Sequence, residues 1–585
     1  MFPIFLAVSI AAVLGGVVHA WWLRWITDDA WISFRYAERL VQGLGLTFND
    51  GERVEGYSNF LWTIGCAAGI ALGVPPEDWS IAWGIACHGA TIALLAAFAW
   101  RRAAAAAREA HAGEPGSARP PLRVVLPLAA ILMSLHRDHA IFATSGLETS
   151  LFTLLAVLGF VLVLDAPGRP RRAAAAGFVL GLAALTRPDG VLFAAIAGAY
   201  LIMVSPRRLR DGAAFAASLA ALLVPFLAWK IAYYGDVLPN TYYAKSANRA
   251  WYSQGLAYVA LYFRKYWVLP VGAVACVLAL LRVRSPSREA RGATMTGGDV
   301  APFSRAAGLA AAFALIYTLY VAHVGGDFMF ARLLIPATPF WLILLQLAVE
   351  RWVPSRVPHQ VAVAAALSVA IAFMPYPFSG QGWTRGIVNE WEFYTEREQE
   401  RAQAFGGRLR AYFDGLPVRM AFCGGQAVLA YRSRAPIAIE TATGLTDSTI
   451  AHQPLARRGR VGHEKMTPIP YLIARRTHFW MYSGKALSDT LAPYIPLVPI
   501  RFDTLTVMAI TWDPPVMDAL RARGVTVPDF LATLDQFIAA MPAIDDDEVR
   551  EVYRKTRTFY FDHVPDPARE APFRARLQGA SAVRP

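Results

Sequence analysis

The apolar residues of this chain come in blocks, and that limits its fold more than any other feature. Blocks lie near residues 2–24, 79–100, 122–136, 147–165, 173–186, 189–204, 212–233, 266–283, 306–323, 333–349 and 359–376. They are apolar all round, without the one-sided period of a surface helix, so they call for hydrocarbon as solvent. Over 585 residues, 56% are hydrophobic and 17% charged. Helices that satisfy their own backbone polar groups are the way such blocks cross a bilayer. The expected class is therefore a polytopic α-helical membrane protein. The first block has no basic residue before it and no small-residue cleavage site ahead of Asp28. It reads as an anchor helix, not a removed signal.

Residues 59–74 make a twelfth stretch, shorter and interrupted by Gly65, Gly69 and Gly73. The placement of arginine decides how to treat it. If it dips into the membrane and returns, eleven spans remain. One face then receives the Arg-rich segments 101–123, 169–172, 206–210, 282–305 and 350–356, as expected of cytoplasmic loops. The other receives 28–57, 145–149, 186–190, 233–249 and 323–332, where the unusual polar residues lie. A full crossing at 59–74 would mix the two sets. The reading is eleven spans plus a re-entrant or juxtamembrane helix, with a first outer loop at 25–58. The net charge of +13 sits largely in short loops, which points to topology and lipid headgroups and not to nucleic acid. Cys66, Cys87, Cys276 and Cys423 show no disulfide or metal spacing. From about residue 377 the composition turns ordinary, so 1–376 is read as the membrane domain. Residues 377–585 are read as an α/β extracytoplasmic domain with strands near 419–422, 437–439 and 505–510.

The outer loops collect carboxylates, cations and aromatic rings. Asp28 and Asp29 stand side by side at the membrane edge, followed by Arg35, Glu55, Tyr57 and Asn59. Later loops add Glu148, Arg187, Asn240, Tyr242, Tyr243, Lys245, His323, Asp327 and Arg332, together with the RDH run at 137–139. This set suits attack by a hydroxyl on a sugar whose leaving group is a lipid phosphate. A carboxylate takes the hydroxyl proton, and Arg or Lys stabilises the departing phosphate. Asp29 or Asp28 is the expected base. Asp28 follows Thr27 at a helix boundary and is expected to cap that helix, which favours Asp29. Lys245 and Arg332, with Arg35 and Arg187 as substitutes, are expected to hold the phosphate. Glu55, Tyr57, Asn59, Glu148, Asn240, Tyr242, Tyr243, His323 and Asp327 are expected to hold donor or acceptor sugar. No fixed metal-ligand spacing is present; the acids permit a divalent cation without demanding one. Each short motif alone is ordinary, a turn or an aromatic belt with a snorkelling lysine. Their common side is the signal.

The string DDAWISFRYAERLVQGLGLTFNDGERVEGYSNFLW resembles the first outer loop of the GT-C glycosyltransferases, polytopic enzymes that use polyprenyl-phosphate sugars. GDVLPNTYYAK, GGDFMFAR, GLTD at 444–447 and GHEK at 462–465 are similar to elements of the mycobacterial terminal β-(1→2) arabinofuranosyltransferase branch. The resemblance implies a general-base Asp in the first loop, matching Asp28 or Asp29, and a re-entrant or juxtamembrane helix after it. It implies an inverting glycosyltransferase in the bacterial inner membrane, with the C-terminal domain periplasmic. The donor would be a polyprenyl-phosphate sugar, arabinofuranose being one candidate, and the acceptor an envelope glycan or glycolipid. A transporter or flippase of lipid-linked sugars is the competing class, but the chain lacks the paired halves usual there. The outer domain is expected to recruit acceptor, with Trp383, Trp391 and Trp480 as its exposed aromatics.

Overall fold

The computed structural model describes residues 2–111, 126–284, 297–354, 356–378, 384–455, 457–482 and 484–582; Trp383 lies outside them. In chain order the N-terminal part consists of α1 (Phe2–Trp22), α2 (Ala30–Val41), α3 (Phe60–Ala71), α4 (Pro76–His111), α5 (Leu128–Leu135), α6 (Arg137–Ala143), α7 (Thr149–Leu164) and α8 (Pro170–Thr186). It continues through α9 (Gly190–Val204), α10 (Arg208–Tyr234), α11 (Asn240–Ala244), α12 (Tyr252–Lys265), α13 (Val268–Arg284), α14 (Gly297–His323), α15 (Thr338–Trp352) and α16 (Val357–Phe373). Among the described residues, four helices are long and apolar enough to cross a membrane, in α1, α4, α10 and α14. The α12–α13 pair, bent by 87°, makes a fifth if taken as one broken span. The remaining apolar blocks form shorter helices, α3, α7, α9 and α16 among them.

Helices α1 and α4 run antiparallel. The Phe5 ring lies 5.2 Å from that of Trp100, while Gly16 sits against His88 and Ile92. The chain therefore leaves α1 and enters α4 at the same end of the bundle. Between them, the 12 residues of α3 rise about 18 Å, too little for a ~30 Å hydrocarbon core. The ends of the bundle differ in kind. At one end Arg102 pairs with Glu350 at 3.0 Å and Arg172 with Asp165 at 2.7 Å, and Asp211 accepts bonds from Ser205 and Gly168, both at 2.6 Å. The other end carries α2, α3 and the polar loops.

The C-terminal part begins with α17 (Glu396–Phe413), whose Thr395–Glu398 capping box starts the helix. It then forms β1 (Arg419–Phe422), α18 (Ala427–Ser433), β2 (Ile437–Glu440), β3 (Phe479–Trp480), β4 (Pro499–Phe502) and β5 (Leu505–Ala509). The sheet order is β2-β1-β3-β5-β4. β1 is parallel to β2 and β3, while β5 is antiparallel to β3 and β4. The first loop covers the β2 edge. Asp50 N–H donates to Pro436 O at 3.0 Å, the Asn49 side chain accepts from Ala438 N–H at 2.8 Å, and the Phe48 ring stacks 6.2 Å from Phe422. One apolar core runs from Trp25, Trp31, Phe34 and Phe48 into the strands. The composition boundary near residue 376 is thus not a packing boundary.

Candidate active site

Asp28 and Asp29 diverge. Asp28 is 6% exposed, and its carboxylate accepts the N–H groups of Ala427 at 2.9 Å and Val428 at 3.2 Å, the first two residues of α18. Arg35, two turns along α2, donates to Ala430 O, to Ala435 O at 2.5 Å and to Phe48 O at 2.8 Å. Helix α2 thus supplies an acid to the start of α18 and a cation to its end, where unpaired amides and carbonyls and the helix dipole favour those charges. This corrects two expectations. Asp28 caps α18 and not its own helix; the residue before α2 is Asp29, whose side chain makes no cap bond. Arg35 is not available to a phosphate, because its donors are committed to carbonyls and its guanidinium lies 4.6 Å over the Phe48 ring. Burial pushes the Asp28 carboxyl up to about 7 against the pull of the two amides.

The Asp29 side chain is 36% exposed and lies 3.4 Å from Arg332 Nη1. Arg332 also holds Asp327 through Nε. The loop carrying both is strained into place. Gly326 has a φ of 71° and lies so close to Tyr258 that a Cβ would come within 2.5 Å of its ring. Ala331, just before Arg332, has a φ of 66°, which costs an L-residue of order 1 kcal/mol. The loop is laced to the residues beyond α16: Phe330 N–H donates to Val388 O and Val388 N–H to Phe328 O, both at 2.9 Å.

A second group ties the helices beneath. Arg187 donates to Asp189 at 3.0 Å and to Glu148 at 3.0 Å. Glu148 accepts from Asn59 at 2.9 Å, and Asn59 in turn accepts from Ser33 at 3.1 Å. Asp189 accepts from the Tyr317 hydroxyl at 2.5 Å. Six helices, α2, α3, α7, α8, α9 and α14, meet in this chain of bonds. Lys245, just past α11, has no hydrogen-bond or ion-pair partner among the described residues. It is solvent-exposed, yet loss of water and then the Arg332 charge hold its ammonium below the usual lysine range, with Asp327, Asp29 and Arg187 also in reach. It lines a recess, not an open surface.

The structure brings together Asp29, Arg332, Asp327, Lys245, Arg187, Glu148 and Asn59. The other expected residues stand aside. Glu55 pairs with Lys230 at 2.7 Å, Tyr57 bonds Tyr234 at 3.2 Å, and Asn240 donates to Gly444 O and Leu445 O, both at 2.9 Å. Tyr243 donates to Asp236 at 2.9 Å and stacks on His452, with Tyr242 edge-on against it. His323 meets Tyr252 at 2.9 Å at the exposed end of α14. These groups join the polar loops to one another. Trp391 is half-buried, its indole N–H on Leu23 O at 3.0 Å, and Trp480 is half-buried in β3.

Four residues missed by the sequence reading face the recess from the C-terminal part: Glu390, Tyr394, Arg460 and His463. Glu390 is buried, and burial, then the Asp29 charge, pushes its carboxyl up to about 7. Arg460 lies 4.4 Å over the Phe328 ring. His463, inside the GHEK element, is edge-on to the same ring at 5.0 Å, and its imidazole is lowered by burial. GHEK was a usable signal for His463. Glu390 sits in a plain acidic run and carried none.

A bundle with laced polar loops at one end, opening a recess lined by acids and cations, defines a multi-pass helical membrane protein. ArnT from Cupriavidus metallidurans in the apo state shares the fold at a TM-score of 0.51 and 14% identity, over 87% of this chain and 97% of that one. The chain is similar to the terminal β-(1→2)-arabinofuranosyltransferase of Mycobacterium tuberculosis, 31% identical over 433 residues, 67% of this chain and 66% of the relative. The protein of that name from Corynebacterium glutamicum is 31% identical over 439 residues, 67% of this chain and 59% of the relative. The chain thus spans less than two thirds of the length of these relatives, 66% of the first and 59% of the second. No family model matches it.

Proposed function

We propose that this protein is an inverting glycosyltransferase that moves a sugar from a polyprenyl-phosphate donor to an envelope glycan or glycolipid at the outer face of the bacterial inner membrane. Arabinofuranose is the favoured sugar, because the relatives above are named arabinofuranosyltransferases. The observation that carries the reading is the pairing of a partly exposed carboxylate, Asp29, with Arg332 beside Lys245, which has no hydrogen-bond or ion-pair partner among the described residues. In the proposed step the acceptor hydroxyl oxygen bonds to the anomeric carbon from the side opposite the phosphate. Asp29 takes the hydroxyl proton. The bond from the anomeric carbon to the phosphate oxygen breaks, its electron pair leaving with the polyprenyl phosphate. Arg332 and Lys245 stabilise the charge that develops there, and the sugar emerges inverted. Glu148 and Asn59, held by Arg187 and Ser33, lie where sugar hydroxyls would be met. The topology that goes with this is eleven spans, α3 as the juxtamembrane or re-entrant helix, and residues 377–585 outside. The test is release of polyprenyl phosphate from a labelled polyprenyl-phosphate arabinofuranose by purified protein in liposomes. No release, with or without acceptor, from protein that melts cooperatively would end this reading.

A further inference from the structure

A groove lies away from the recess. It measures about 710 Å³ and runs between α1, α5 and α16, lined by Val8, Gly15, Leu23, Leu135, Arg137 and Ala372 among others. That size falls in the ~300–1,000 Å³ range of ligand sites. From Val8 to Leu23 it follows α1 for about 22 Å, longer than the ~15 Å hydrocarbon depth of one leaflet. Ile10 and Leu14, alongside it on α1, are 50% and 59% exposed. A side chain at Gly15 would meet no atom within 4 Å. The floor is therefore open and mainly apolar, with His19 held on Ser134 O at 3.0 Å.

The polar end is different. Arg137 caps it, its guanidinium 5.5 Å over the Tyr376 ring and 5.3 Å over Trp391. Its Nε is buried without a hydrogen-bond partner, and it makes no ion pair among the described residues. The neighbouring acid, Asp138, is taken by Lys265 at 3.0 Å, Tyr266 at 2.5 Å and Tyr376 at 2.8 Å. An unpaired guanidinium at the head of an apolar channel matches a phosphate headgroup with a hydrocarbon tail. The cations coupled to Asp29 include Arg332, Lys245 and Arg460, whereas Arg137 lies over the rings of Tyr376 and Trp391 at the head of the groove.

We infer that this groove holds one resident anionic phospholipid, its phosphate on Arg137 and one acyl chain along α1, separate from the site proposed for transfer. The test is native mass spectrometry of the full chain, delipidated in detergent and titrated with phosphatidylglycerol, phosphatidylethanolamine or polyprenyl phosphate. Wild type should keep one phosphatidylglycerol in preference to phosphatidylethanolamine. Arg137→Gln should reduce that preference at least tenfold, Arg137→Lys should restore part of it, and Gly15→Phe should displace the lipid. If Gly15→Phe fails to fold, the two Arg137 variants decide. Equal retention of the two phospholipids by wild type, or unchanged retention in Arg137→Gln, would overturn the inference. So would displacement of phosphatidylglycerol by polyprenyl phosphate, which would give the groove to the carrier.

Discussion

Asp28 and Asp29 are adjacent in the chain, yet their partners set them to different work. Asp29→Asn keeps size and hydrogen bonding while removing basicity. It is expected to fold, bind donor and lose transfer by roughly 100-fold, read as single-turnover rates at saturating donor. Near-normal transfer would move the base to another acid of the recess. Lys245→Ala or Arg332→Ala should slow transfer about 10–1000-fold, the loss of ~1.4–4 kcal/mol of charge stabilisation. Arg332→Ala also frees Asp327, so Lys245→Ala is the cleaner variant. Asp28→Ala removes the acceptor for two amides and should cost about 0.5–2 kcal/mol of stability, seen as a lower melting temperature with a smaller loss of rate than Asp29→Asn. The acid pair and both principal cations were legible as residues. Their roles were not fully so, because which amide or carbonyl a side chain meets depends on elements some 400 positions away.

At the scale of elements, the contact of α2 with α18 couples the first loop to the C-terminal part and makes stability depend on pH. The Asp28 carboxyl titrates near 7 in the folded chain, against an ordinary value of 3.8. The folded state therefore keeps a proton that the unfolded chain releases from about pH 4 upward. Its contribution is complete below pH 4, falls as pH rises toward 7 and is flat above. Glu390, also near 7, acts with the same sign. Melting temperature should thus fall between pH 5 and pH 7.5, and Asp28→Asn should flatten part of that slope. An Asp28→Asn melting profile parallel to wild type would remove Asp28 as the source. The apolar blocks announced helices, but not the 87° bend between α12 and α13 or the break at His136 between α5 and α6. Those turns are set by buried side-chain bonds, such as Asp138 with Lys265 and His136 with Tyr262, which leave no periodic trace.

For the whole molecule, the two ends of the bundle give a topology that cysteine labelling can check. Single cysteines at residues 167 and 248 should react from opposite faces of sealed vesicles. Reaction from one face would undo the shared side of the polar loops. Truncation after residue 376 tests the other large-scale feature. The composition break suggested a separable outer domain, whereas the continuous core from Trp25 to the strands predicts that the truncated chain loses order in the first loop. Protease cleavage within residues 42–58 should rise sharply on truncation; an unchanged pattern would restore the separable domain. What the sequence by itself determined was the class: blocks of hydrocarbon-loving residues, arginines on one set of loops, and acids with cations on the other, because solvent preference and charge are properties of residues. Only the tertiary structure decided that Asp28 and Arg35 hold α18, that Glu390 and His463 face Asp29, and that Arg137 heads an apolar groove. Those facts depend on which surfaces meet when distant segments pack, and packing is a property of the folded whole.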